Sequence, residues 1–337
     1  MKNFLKRVGL VLTILLLIYS ILALWPRGHN YTAQNPMLAG RELPILIAHG
    51  GGNREFPDNT LEAFYNAYSV DPRVMMETDV SITKDGVVIL SHDTTLDRKT
   101  NVTGAIADWN YADLMAQKVD FGYTNPTKDD ALSGERKKFT TDDGKEVTPL
   151  DVAYPAGVTP RDEKVFLATT LEDLLICFPD NRITVEIKQE GELGIRCLQA
   201  VMDLLDKHDA WDRVVLASFH EALYDEYQRL QFAKEVPDIF MYSPAYDAVT
   251  EFVVLEILNL DLFFDDGICV LHLPLEEYGV DLATKKLVDT AHKHNIAVHY
   301  WTINDPEEIR HLIEIGADGI TTDYPHLLQE VYDSYGN

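Results

Sequence analysis

Short apolar runs alternate with helical patterns from about residue 44 onward, and this alternation constrains the fold more than any other feature. Candidate strands lie at 45–48, 75–82, 87–90, 183–187, 214–217, 239–242, 268–271, 297–301 and 319–322. Helical stretches fall between them at 61–68, 193–207, 221–230, 283–294 and 307–315. The last is announced by Asn304-Asp305-Pro306, a cap followed by a first-turn proline. Such repetition predicts a parallel sheet, either closed as a barrel or open and doubly wound. No GxGxxG follows a strand and no GxxxxGK precedes a Ser or Thr, so neither nucleotide-binding signature favours the open form. Nine strands compete for eight barrel positions. Lys84-Asp85-Gly86 is too short for a helical crossover, and its Asp-Gly turn predicts a hairpin between the strands on either side.

Ionisable residues sit at the carboxyl ends of several of these runs. His49 ends the first, Glu77 and Asp79 project to one face of the second, and His92-Asp93 ends the third. Glu186 and Lys188 follow, again two apart; Trp301 and Asn304 close a later strand and Asp323 the last. In a barrel these side chains converge on one mouth. Three carboxylates there need a counter-charge, and a hard divalent cation, Ca²⁺ or Mg²⁺, is the simplest. Two histidines supply an acid and a base near neutral pH. The other histidines read as structural, and Asn59 to Glu62 read as a helix start with Asn59 as cap and Glu62 in a capping box.

Three further segments set the organisation. Lys2, Lys6 and Arg7 precede a 17-residue apolar run, Val8 to Leu24, closed by Trp25. Residues 1–25 are expected to form a single-pass membrane anchor, its amino end cytoplasmic and the catalytic domain extracytoplasmic; a cleaved signal peptide is the rival reading. Residues 26–43 read as a linker and 44–337 as the barrel. Residues 121–165 hold 16 charged residues in 45 and read as an insertion beside the mouth. A net charge of −26 excludes a phosphate-tracking nucleic-acid binder. Cys177, Cys197 and Cys269 form no CxxC and read as buried thiols.

The motifs run in a familiar order: Ile47-Ala48-His49-Gly50-Gly51, Pro57-Asp58-Asn59-Thr60-Leu61-Glu62, Glu77-Thr78-Asp79, His92-Asp93, Glu186-Ile187-Lys188, Trp301-Thr302-Ile303-Asn304 and Asp318 to Pro325. Over about residues 44–330 the chain closely resembles the glycerophosphodiester phosphodiesterase family. The resemblance implies an irregular (β/α)₈ TIM barrel that hydrolyses glycerophosphodiesters to glycerol 3-phosphate and an alcohol. It implies His49 and His92 as the catalytic pair and Glu77, Asp79 and Glu186 as metal ligands. Lys188, Asn59 and Trp301 are the expected substrate contacts. The family usually carries arginine directly after its first histidine, where this chain has Gly50, and Arg54 is expected to reach back and replace that phosphate contact. Two alternatives stand beside this reading: a lipid phosphodiesterase of the lysophospholipase D type, and an anchored binding protein that lost activity with the arginine.

Overall fold

A computed structural model describes residues 2–24, 31, 33–40, 43–123 and 137–335. In chain order the elements are α1 (Lys2–Ala23), β1 (Ile45–His49), α2 (Leu61–Val70), β2 (Met75–Ile82), β3 (Val88–Leu90), α3 (Tyr111–Ala116), α4 (Leu171–Cys177), β4 (Ile183–Ile187) and α5 (Gly191–Lys207). There follow β5 (Val214–Ala217), α6 (Glu221–Ala233), β6 (Met241–Tyr242), α7 (Tyr246–Ile257), β7 (Val270–Leu273), β8 (Glu276–Glu277), β9 (Val280–Asp281), α8 (Lys285–Lys293), β10 (Ala297–Tyr300), α9 (Pro306–Ile315), β11 (Gly319–Thr322) and α10 (Pro325–Tyr335).

Eight strands run parallel in the order β6-β5-β4-β2-β1-β11-β10-β7. The first strand pairs with the last, so the sheet curls into a nearly closed TIM-like barrel. At the β6–β7 seam the Cys269 amide donates to the Tyr242 carbonyl at 3.3 Å, in place of a strand ladder. The ninth strand, β3, pairs antiparallel with β2 across the Asp-Gly turn, as expected for a hairpin.

Alternation along each strand divides the core in two. Leu46, Ala48, Met76, Val185 and Leu216 pack outward under the helices. Ile45, Ile47, Met75, Val215, Met241 and Val270 fill the barrel's interior at the amino end. The same inward faces, followed toward their carboxyl ends, carry the polar side chains of the site.

The amino-terminal segment differs from expectation. It forms one helix, α1, whose apolar side chains from Val8 to Ile21 are mostly exposed. No helix among the described residues is long and apolar enough to cross a membrane. At 1.5 Å per residue the 17-residue apolar run reaches only about 26 Å, short of a hydrocarbon core of about 30 Å. Trp25 and residues 26–30 lie outside the described residues.

Residues 33–40, read from sequence as part of a linker, pack across the amino end of the barrel. Tyr31 and Met37 are buried in the interior cluster. The Asn35 amide donates to the carbonyls of Cys269 and Asn295, both at 2.7 Å. His299 Nε2 pairs with the Met37 carbonyl at 2.9 Å.

Four helices, α3, α4, α7 and α10, were not assigned from sequence. In α7 apolar residues occupy more than one face, which erases the polar stripe that signals a surface helix. Capping also differs. Thr60, not Asn59, accepts from the Ala63 amide at the start of α2, and Glu62 is buried near Arg161 rather than closing a capping box. Asp305 caps α9, accepting from the amides of Glu307 and Glu308 ahead of Pro306.

Candidate active site

Register places the ionisable residues before any side chain is considered. In the β1–β2 ladder His49 stands opposite Glu77, and in the β2–β4 ladder Asp79 stands opposite Glu186. Glu77, Asp79 and Glu186 each offer an oxygen, and these lie within 4.8 Å of one another. Glu77 Oε2 accepts from the Gly50 amide at 2.9 Å. Lys188 Nζ reaches Asp79 at 3.0 Å and Glu186 at 2.7 Å. Burial, with Asp79 beside it, raises the Glu77 carboxyl to about 7 despite His49 nearby. Burial also raises Glu186, against the pull of Lys188. Lys188 is held above its ordinary value: burial opposes its charge, but Asp79 and Glu186 prevail. The ammonium thus pairs with two of the three carboxylates, and Glu77 faces His49 instead. An all-oxygen donor set with surplus negative charge fits a hard divalent cation.

The two histidines are oriented alike. His49 Nδ1 lies 2.6 Å from Asp323 Oδ1, and its Nε2 is 4.0 Å from Glu77. Burial works against the imidazolium, yet Asp323 and Glu77 lift His49 to about 10. Asp323 is itself held by Asn304, whose amide donates at 2.8 Å while its carbonyl accepts from the Asp323 amide. His92 Nδ1 lies 3.0 Å from Asp93 Oδ1, a bond that raises His92 above the ordinary histidine range. Arg98 grips both oxygens of Asp93 at 2.7 Å. Behind it, Lys99 and Asp58 form a fully buried ion pair. Each histidine thus spends Nδ1 on a carboxylate and keeps Nε2 for other work.

One cavity of about 650 Å³ is lined by His49, Glu77, Asp79, His92, Glu186 and Lys188, and also by Trp301. Among the described residues Lys188 is its only Lys or Arg. Two expected substrate contacts lie elsewhere. Asn59 is buried behind the cluster with φ of 58°, donating to Asp79 Oδ2 at 3.0 Å and accepting from Thr78 and the Asp79 amide. Arg54 is 3.7 Å from Asp142, an insertion residue that also bonds Tyr324, and does not line the cavity. At Gly50 the backbone has φ of 53°, and a Cβ would come within 2.9 Å of the Asp58 Cβ. The glycine contributes its amide to Glu77 and no cation.

Sequence reading noted Asp93, Asn304 and Asp323 at strand ends without giving them roles. It read His272 as structural, yet His272 lines the cavity, with burial and neighbouring His299 pushing it down to about 3. The α7 wall was not foreseen at all.

The chain is 23% identical over 284 residues to a glycerophosphodiester phosphodiesterase of Bacillus altitudinis, covering 83% of this chain and 94% of that one. It is 24% identical over 319 residues to a lysophospholipase D of Homo sapiens, covering 88% of each. Its fold matches an Oleispira antarctica phosphodiesterase solved with the product sn-glycerol-3-phosphate, with a TM-score of 0.58, 21% identity and coverage of 86% of this chain and 97% of that one. The profile of the glycerophosphoryl diester phosphodiesterase family matches residues 49–327, and the chain belongs to that family as a phosphodiesterase.

Proposed function

We propose that this enzyme hydrolyses glycerophosphodiesters to glycerol 3-phosphate and an alcohol, using His49 and His92 for proton transfer around a divalent-metal site. The observation that carries this reading is the placement of two carboxylate-oriented histidines beside a three-carboxylate cluster in one cavity. Glu77, Asp79 and Glu186 would hold the cation. When bound, it supplies Lewis-acid stabilisation of charge on the phosphoryl oxygens.

The chain's own residues do the rest. Lys188 offers its ammonium to a nonbridging phosphate oxygen. His92 Nε2 accepts the proton of the attacking oxygen, from water directly or from the glycerol's adjacent hydroxyl, in which case a cyclic phosphate forms first and water then opens it to glycerol 3-phosphate. His49, kept protonated by Asp323, gives its proton from Nε2 to the leaving oxygen as the P–O bond breaks. Asp93 and Asp323 fix the two rings and stabilise the imidazolium forms. Asn59 holds Asp79 from behind. The deciding experiment is phosphodiester turnover with glycerophosphocholine and glycerophosphoglycerol, read by coupled detection of glycerol 3-phosphate. Added Ca²⁺ or Mg²⁺ should support it and chelation abolish it; full turnover in a metal-free preparation contradicts the reading.

A second reading, hydrolysis of lysophospholipids, is favoured by the apolar lining beyond the cluster, with Val249, Val253 and Val254 of α7 facing Leu282 and Pro274. The exposed apolar residues of α1, flanked by Lys6 and Arg7, support attachment of the enzyme to a membrane surface.

A further inference from the structure

We propose that the groove between α7 and the β8–β9 hairpin binds the single hydrocarbon chain of an amphiphilic phosphodiester whose phosphate sits at the metal cluster; this rests on the phosphodiesterase reading above. The groove is the outer part of the same cavity. Tyr246, Val249, Val253, Val254 and Ile257 recur at helical spacing along one side of α7, so three turns, roughly 16 Å, present one apolar stripe. The opposite side of α7, with Ala248 and Phe252, packs into the core, and Val249 and Val253 touch it as well, while Val254 and Ile257 stay about half exposed. Thr250, within the stripe, donates its hydroxyl to the Tyr246 carbonyl of its own helix at 2.9 Å. The facing wall is Pro274, Val280 and Leu282, with Tyr278 at the rim and 86% exposed.

The groove is continuous with the chemistry. Lys188 Nζ lies 5.9 Å from the centre of the Phe219 ring, and Phe219 meets Trp301 edge to face at 6.1 Å. Both rings line the cavity, and both are exposed. The space has a reason in the fold. β6 is only two residues long and meets β7 through an isolated bond, so the cavity opens between α7, which follows β6, and the hairpin, which follows β7, with Tyr246 and Tyr278 meeting across its rim.

A polar glycerophosphodiester needs only the inner, charged end of such a space. A peptide in the outer end would lack partners for its backbone amides and carbonyls. A hydrocarbon chain needs none, and one chain suits one stripe. The source of that chain is adjacent. Tyr19 of α1 donates its hydroxyl to the Leu258 carbonyl at 2.8 Å, directly after the end of α7. The exposed apolar side chains of α1 therefore stand where the groove ends, which suits an amphiphile taken from a lipid surface.

The test compares glycerophosphocholine with lysophosphatidylcholines bearing hexanoyl, decanoyl and myristoyl chains, each below its aggregation threshold. Cleavage of either phosphoester bond is counted by mass spectrometry. The expected result is a kcat/KM that climbs with chain length, by up to about tenfold per two carbons fully buried. Val254→Asp and Ile257→Asp, at half-exposed positions, should flatten that slope, and Val254→Leu should keep it. Binding is read separately by calorimetry, with hexyl- and tetradecyl-phosphocholine titrated into the His92→Ala protein; the longer chain should bind at least tenfold tighter. A flat or falling series with normal glycerophosphocholine turnover overturns the groove and leaves the phosphodiesterase reading standing. No turnover of any phosphodiester defeats that reading instead, and the calorimetric series then decides the groove alone.

Discussion

His49 and Asp323 meet at 2.6 Å across 274 residues of sequence, because the first and last strands of the barrel are hydrogen-bonded neighbours. The carboxylate fixes the ring and holds its proton. Asp323→Asn should lower kcat by about 10- to 100-fold while leaving the fold intact. The sign of its pH effect follows from the charge. Removing the anion lowers the His49 pKa, so the limb on which the protonated acid is lost should move to lower pH. An unshifted kcat profile would separate Asp323 from the proton transfer.

The division of labour between the histidines is tested through the leaving group. His49→Ala and His92→Ala should each lower kcat on glycerophosphocholine by about 10²–10⁴. With a nitrophenyl ester, whose leaving oxygen needs no proton, His49→Ala should recover most of its loss and His92→Ala should not. Equal recovery in both variants reverses or dissolves the assignment.

Glu77, lifted to about 7, must lose its proton to bind a cation. Affinity for Ca²⁺ or Mg²⁺ should therefore rise between pH 6 and 8, with proton release on binding. Calorimetry in buffers of different ionisation enthalpy reads both. Glu77→Gln should remove the proton release and weaken binding; pH-independent affinity in the wild type would count against this carboxyl as a ligand.

Lys188 and Arg54 make a contrasting pair. Lys188 is the one ammonium among the described residues of the cavity, so Lys188→Ala should cost about 1.5–3 kcal/mol in kcat/KM, the range for a charged hydrogen bond. Arg54 faces Asp142 outside the cavity, so Arg54→Ala should leave kcat/KM nearly unchanged, and losing the exposed pair should cost at most ~1 kcal/mol of stability. A large loss in Arg54→Ala would mean that the arginine moves into the site when substrate binds.

The proposed attachment of α1 to a membrane surface predicts that deleting residues 2–24 shifts the protein from the membrane fraction to the supernatant. Glycerophosphocholine turnover should survive, since none of these residues lines the cavity. Unchanged membrane association in the shortened chain would place attachment elsewhere.

What could be read in the sequence was whatever depends on near neighbours. The strands ending in His49, Glu77 and Asp79, and Glu186 announced themselves because an apolar run closing on ionisable groups has few other uses. The Asp85-Gly86 turn gave the hairpin for the same local reason. The Asp323 partnership was not readable, since it exists only once the barrel closes. Nor was the fate of Arg54, decided by Asp142 about ninety residues away. Asn59 looked like a helix cap because caps and buried struts draw on the same residue types. α7 was missed because its second apolar face served the cavity rather than the core.

The segment crossing the barrel's amino end changes where this protein can be cut. The family profile matches from residue 49, yet Tyr31, Asn35 and Met37 are built into the floor beneath β7 and β10. A gene fragment trimmed to the family boundary would bare Met75, Val215 and Val270 to water and leave His299 and the Asn295 side-chain amide without their partners. The smallest stable unit is therefore longer than the profile match, and a start codon placed at residue 31 rather than 45 should separate a soluble barrel from an aggregating one.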